Sequence, residues 1–94
     1  MKNTTLFLIQ SPYSQLDKIW RELRQIAQAD DPIVIMGDAA LQVSQNIIDT
    51  FSNLYCLSSE QSLLNDEVKD HVKIIEYAQF ADLIVQFDRC ITLK

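Results

Sequence analysis

An apolar run that stops at a turn and feeds a helix recurs along this chain, and that grammar constrains the fold more than any single residue does. The most telling run is Ile33-Val34-Ile35-Met36. It has no polar alternation, the mark of a strand covered on both faces in a central parallel sheet. Thr5 to Gln10 reads as an earlier strand, stopped at Ser11-Pro12 because proline lacks the ladder donor. Leu54-Tyr55-Cys56-Leu57 and Val72 to Glu76 read as the third and fourth strands, and Ile91-Thr92-Leu93 as a short edge strand.

Between these runs the spacing changes to threes and fours. Leu16, Ile19, Trp20, Leu23, Ile26 and Ala27 define one face of a helix to about Gln28, with Ser14 as N-cap and Asp17 three residues later in a pattern that resembles a capping box. Asp30-Asp31-Pro32 ends it. Gly37, the only glycine, closes the second strand, and Asp38 is placed to cap a helix carrying Ala40, Val43, Ile47, Ile48 and Phe51. Ser58-Ser59 opens a short helix with Leu63 and Leu64, Asn65 to Asp70 reads as a polar loop, and Tyr77, Phe80, Ala81, Ile84 and Phe87 form a last helical face. Strands alternating with helices over short loops predict right-handed β-α-β units. The expected fold is a three-layer α/β/α domain, residues 1–94, around a mostly parallel sheet of four to five strands.

Composition narrows the functions open to such a domain. Hydrophobic residues are 48% and charged residues 22% of the chain, which is ordinary globular usage. A domain of this size buries only about 60–65% of its unfolded surface, so its core is modest. The net charge is −5, and no Lys or Arg lies between Arg24 and Lys69, where Asp30, Asp31, Asp38, Asp49, Glu60, Asp66 and Glu67 fall. That balance disfavours an extended phosphate backbone as partner; it reads as a solvated acidic face or a surface for a basic protein. One glycine excludes the usual Rossmann and P-loop cradles, so no cofactor is expected. There is no C-x-x-C pair, and His71 is the only histidine, which argues against a zinc site or a catalytic triad. The run Leu6-Phe7-Leu8-Ile9 after Lys2 is too short for a signal peptide, and no apolar stretch reaches the roughly 20 residues of a bilayer span. The expectation is a cytoplasmic protein with both thiols reduced.

Four segments together resemble the TusB/DsrH family. Leu8-Ile9-Gln10-Ser11-Pro12-Tyr13 resembles its first strand and Ser-Pro-aromatic turn, and Pro32-Ile33-Val34-Ile35-Met36-Gly37-Asp38-Ala39 its second strand and turn. Leu54-Tyr55-Cys56-Leu57 is similar to its third strand, and Ile75-Glu76-Tyr77-Ala78-Gln79-Phe80-Ala81-Asp82-Leu83 to its closing Tyr-x-x-Phe-x-x-Leu segment. The segments occur in the family's order and spacing over nearly the whole chain. The resemblance implies a chiefly structural subunit of a sulfur-relay complex. In such complexes TusC/DsrF-like and TusD/DsrE-like chains complete a dimer of heterotrimers, the TusD/DsrE-type chain carries the persulfide, and a TusE/DsrC-like carrier passes sulfur toward 2-thiouridine at the tRNA wobble position. Related complexes serve sulfur oxidation. Some DsrH-type members carry a cysteine in the first helix; none lies between Ser14 and Gln28 here.

Against that background two thiols are the candidates for sulfur chemistry. A persulfide carrier needs a thiolate held by a cation or a helix start and exposed to a partner. Cys56 sits inside an apolar strand, where a small buried hydrophobe is the simpler reading. Cys90 follows Arg89, so it has a cation beside it in sequence, though a free surface thiol is the plainer account. Asp38 lies at a strand end, where α/β folds place ligands. Asp30-Asp31 could suggest an acidic phosphoacceptor pocket, but they follow a helix and not the first strand. Tyr13, after a turn, and Tyr77, at a helix start, are candidate interface anchors; Trp20 and Phe80 fit core faces. The rival readings are a sulfur carrier using Cys90 or Cys56, and a stand-alone binding module of flavodoxin-like shape.

Overall fold

The computed structural model describes residues 5–10, 15–87 and 89–93. Among them five strands form one all-parallel sheet: β1 (Thr5–Ile9), β2 (Ile33–Ile35), β3 (Leu54–Leu57), β4 (Val72–Ile75) and β5 (Arg89–Leu93), in the order β4-β3-β2-β1-β5. The sheet buries Ile33, Val34 and Ile35 completely, as their unbroken apolar run requires. Three α-helices accompany it: α1 (Leu16–Ile26), α2 (Gln45–Thr50) and α3 (Tyr77–Val85). Short 3₁₀ helices at Gly37–Gln42, Ser58–Leu63 and Lys69–His71 fill the remaining connections. The three-layer α/β/α architecture is therefore present, with its sheet parallel throughout.

The strand order explains the layers. From β1 through β4 each step moves to the next strand on the same side, so right-handed crossovers place α1, α2 and the 3₁₀ segments on one sheet face. The return from β4 to β5 passes back beyond β1, which puts α3 on the other. Side-chain alternation agrees. Phe7, Ile9, Ile33 and Ile35 join the main core with Leu16, Ile19, Trp20, Leu23, Ile47 and Phe51. Leu6, Leu8 and Val34 face the opposite way and meet Phe80, Leu83, Ile84 and Phe87.

Several expected elements are redrawn. The helix expected from Asp38 through Phe51 splits into the 3₁₀ helix Gly37–Gln42 and α2, because Val43 (ψ 120°) and Ser44 (ψ 175°) are extended. Met36 is the N-terminal flank of the first piece, with no side-chain cap bond, and Asp38 is inside that piece and not its cap; the side chain of Asp38 is outside the described residues. Over six residues a sequence pattern cannot separate the tighter 3₁₀ period from 3.6. Ser58–Leu63 is likewise 3₁₀. Helix α1 stops at Ile26, where Ala27 is extended, and Ser14, its expected cap, lies outside the described residues. In α3 the sheet-facing seam is Phe80-Leu83-Ile84-Phe87; Tyr77 and Ala81, assigned to that face by spacing, are exposed. Glu76 and Gln79 close a reciprocal capping box there, Gln79 Oε1 accepting the Glu76 N–H at 2.8 Å.

Candidate functional site

Open parallel sheets bind ligands beyond the carboxyl ends of their strands, and here those ends carry Gln10, Met36-Gly37, Ser58 and Glu76. Gly37 leaves β2 with φ +59° and donates its N–H to the Glu60 carboxylate, which reaches over from the 3₁₀ helix after β3. Ser58 Oγ donates to Glu76 Oε2 at 2.8 Å, and Ser59 Oγ lies 3.5 Å from the Tyr77 hydroxyl. Gln10 Nε2 approaches Met36 Sδ at 3.3 Å. The rim is thus polar, and its groups are engaged with one another, which locks the ends of β2, β3 and β4 together. A Cβ on Gly37 would meet nothing within 4 Å, so Gly37→Ala tests backbone strain alone. It is expected to cost about 1–2 kcal/mol in urea unfolding, with Gly37→Asn cheaper because asparagine visits the left-handed region more readily.

Cys56 is fully buried in β3. Burial pushes its thiol from 9.0 up to about 11, and the Glu60 carboxylate adds to the rise. Its Sγ has only a long contact, 3.5 Å, to the Leu57 carbonyl. Both influences oppose a thiolate, whereas a persulfide carrier requires one. Cys90 is exposed on β5, an edge strand, beside exposed Arg89. Register places it opposite Leu6, on the α3 side of the sheet, whereas Cys56 pairs with Ile35 on the other side. Three strand steps separate their strands, roughly 14 Å, so the two thiols cannot bridge.

The remaining candidates disperse. Tyr13 lies outside the described residues. Tyr77 is 62% exposed at the start of α3. Tyr55 is half-buried under Lys73, whose Nζ stands 5.1 Å from the ring centroid and donates to Asn53 Oδ1 at 3.1 Å. His71 is exposed. Asp30 is exposed and Asp31 half-buried between α1 and β2, at the amino end of the sheet, and Asp31 Oδ2 accepts the Gln28 N–H at 2.9 Å as part of a turn. They form no phosphoacceptor pocket. Among the described residues no group of His, Cys, Asp and Glu is gathered to hold a metal, and no helix is long and apolar enough to cross a membrane.

The feature that spacing did not disclose is the incompleteness of the α3 layer. Helix α3 is YAQFADLIV, largely apolar, yet buries no residue. The buried residues beneath it are Leu6, Leu8 and Val34, with Met36 and Tyr55 partly buried beside them. The neighbouring column on β5, Cys90 and Thr92, is exposed, and on β4 Lys73 is exposed. Val85 is 81% exposed on the helix itself. No protein-family model matches the sequence, and no curated protein matches it significantly. The likeness to TusB/DsrH proteins therefore rests on the four segments quoted above.

Proposed function

We propose that this chain is a non-catalytic subunit of a hetero-oligomeric sulfurtransferase complex, contributing to 2-thiolation of the tRNA wobble uridine in the cytoplasm. Its neighbours are TusC/DsrF-like and TusD/DsrE-like chains in a dimer of heterotrimers, and a TusE/DsrC-like carrier receives the sulfur. The observation that carries this reading is the α3 layer: an apolar helix with no fully buried residue, flanked on β5 by exposed Cys90 and Thr92 and tipped with exposed Tyr77 and Val85. A small domain gains stability by burying such a surface against another subunit. Cys56 supports the non-catalytic part, because a buried thiol beside a carboxylate cannot receive sulfur from a partner. Cys90, exposed beside Arg89, is the observation that favours the alternative of a carrier.

Co-expression with TusC/DsrF-like and TusD/DsrE-like chains from the same genome, followed by light scattering, tests the assignment. The expected mass is that of a dimer of heterotrimers. A Tyr77→Ala/Val85→Asp variant is expected to drop out of the complex while keeping the circular dichroism of the isolated chain. Cys90→Ser and Cys56→Ser complexes are expected to transfer sulfur normally; loss of transfer in Cys90→Ser alone would move the chain to the carrier role. Elution as a lone monomer or homo-oligomer in the presence of both partners overturns the assignment and favours a stand-alone module.

A further inference from the structure

On the other side of the molecule, away from α3, a cleft of about 500 Å³ opens between α1 and the segment that joins the Gly37–Gln42 turn to α2. Its size is within the range of small-molecule sites. Trp20 and Ile47, each 4% exposed, give it an apolar floor. Arg21 and Arg24 stand on the α1 wall, and Gln42, Ser44 and Asn46 on the facing one.

The charge on the α1 wall is what calls for a ligand. Arg21 and Arg24 are one helical turn apart, where like charges oppose each other. Among the described residues neither makes an ion pair; Arg21 reaches only the Asp17 carbonyl, through Nε at 3.5 Å. Arg24 gains something from the carbonyl end of α1, but Arg21 is a full turn from it. Two arginines one helical turn apart thus stand without an ion pair on this wall, although the Asp17 carboxylate shares the lining. Among the described residues the side chains of the opposite wall make no hydrogen bond. Ser44 flanks α2 yet makes no capping bond with its hydroxyl. The indole N–H of Trp20, in the floor, is the one buried side-chain polar atom among the described residues without a partner.

We propose that this cleft binds a small phosphomonoester of nucleotide size. The forked guanidiniums match phosphate oxygens, and the Ser44 hydroxyl adds a donor at the same anion. The Gln42 and Asn46 amides supply both donors and acceptors for the organic part. The Asp17 carboxylate, also in the lining, disfavours a polyanionic ligand over a monoester and accepts from hydroxyls such as those of a ribose. A polymeric phosphate backbone is a poorer fit, because the acidic stretch from Asp30 to Glu67 carries no compensating cation. The proposal is independent of the subunit assignment, since the cleft and the α3 layer lie on opposite faces of the sheet.

Trp20 is the chain's only tryptophan, so its emission reports on the floor of the cleft directly. Adenosine monophosphate is titrated into the intact chain by fluorescence and by calorimetry, with adenosine, inorganic phosphate and a short single-stranded RNA as parallel probes. Saturable binding of the nucleotide is expected, at least about tenfold tighter than adenosine and weakening as salt is raised. Arg21→Gln/Arg24→Gln, both exposed positions, is expected to lose about tenfold or more in affinity with an unchanged circular dichroism spectrum. Absence of saturable binding by both methods, or an unchanged affinity in the double variant, overturns the site. Inorganic phosphate binding as tightly as the nucleotide overturns its nucleotide size, and tighter binding of the RNA overturns a small-molecule ligand.

Discussion

Phe7→Ala is expected to remove about 3–5 kcal/mol from the unfolding free energy, the usual loss for truncating a buried aromatic side chain. Phe7 is 2% exposed on β1, which pairs with both β2 and β5, and its ring belongs to the main core shared with α1 and α2. The site cannot collapse easily, because the backbone on both sides is fixed by ladder hydrogen bonds. A domain of this size has roughly 5–15 kcal/mol in total, so the variant loses a large share of it, equivalent to a drop of roughly 15–30 °C in Tm. Urea unfolding with an unchanged slope is the measurement. Val85→Ala is the matched control: a similar class of change at an 81% exposed position, expected to stay within about 0.5 kcal/mol in the isolated chain. A loss below 1 kcal/mol for Phe7→Ala would mean that the main core is not packed as described.

The contrast between those two positions also marks what could be read from the sequence. Strands β2 and β3 were legible because Ile33-Val34-Ile35 and Leu54-Tyr55-Cys56-Leu57 are short apolar runs between turn residues, and only a buried strand satisfies both length and composition. Helix α1 was legible because Leu16, Ile19, Trp20 and Leu23 repeat long enough to fix the period, and all four are buried. The segment from Gly37 to Phe51 was not. Its apolar spacing is compatible with one helix, and the break at Val43 and Ser44 comes from packing that no local pattern encodes. In α3 nearly every position is apolar, so spacing marks Phe80, Ile84 and Phe87 of the inner face but not its edges; the sheet adds Leu83 and leaves Tyr77 and Ala81 outside.

Those same ambiguities limited what the sequence said about sites. Arg21 and Arg24 read simply as the polar side of α1, and the cleft exists only because Gln42, Ser44 and Asn46 are brought opposite them by the segment that breaks at Val43 and Ser44. The Gly37–Glu60 contact joins the ends of two strands and has no sequence spacing of its own. By contrast, the burial of Cys56 follows from its apolar neighbours, and the exposure of Cys90 from its place near an edge. Local pattern therefore carried the individual elements, whereas surfaces made by two elements stayed hidden until the chain was folded.

The two thiols should differ sharply in chemistry. Native protein at pH 8 is expected to show one fast-reacting thiol, Cys90, with Cys56 released only on unfolding. With its pKa at about 11, Cys56 is thiolate to about one part in a thousand at that pH, roughly a hundredfold less than a thiol at 9.0, and burial further denies access to the reagent. The same shift makes a stability prediction of definite sign. Below pH 9 the thiol is protonated in both states and costs nothing. Between 9 and 11 the unfolded chain releases the proton while the folded chain keeps it, so the unfolded state binds fewer protons and stability falls with rising pH. The loss from this group amounts to roughly 2–3 kcal/mol once pH passes 11. Tyrosines and lysines titrate in the same range, so the quantity to measure is the difference between the native sequence and Cys56→Ala, each unfolded in urea at pH 8 and pH 10.5. The variant begins less stable, having lost a buried sulfur, and is expected to close the gap as pH rises. A gap that stays constant, or fast labelling of Cys56 in the native protein, would mean that this thiol is accessible as an anion, and the case for a subunit that carries no sulfur on Cys56 would fail with it.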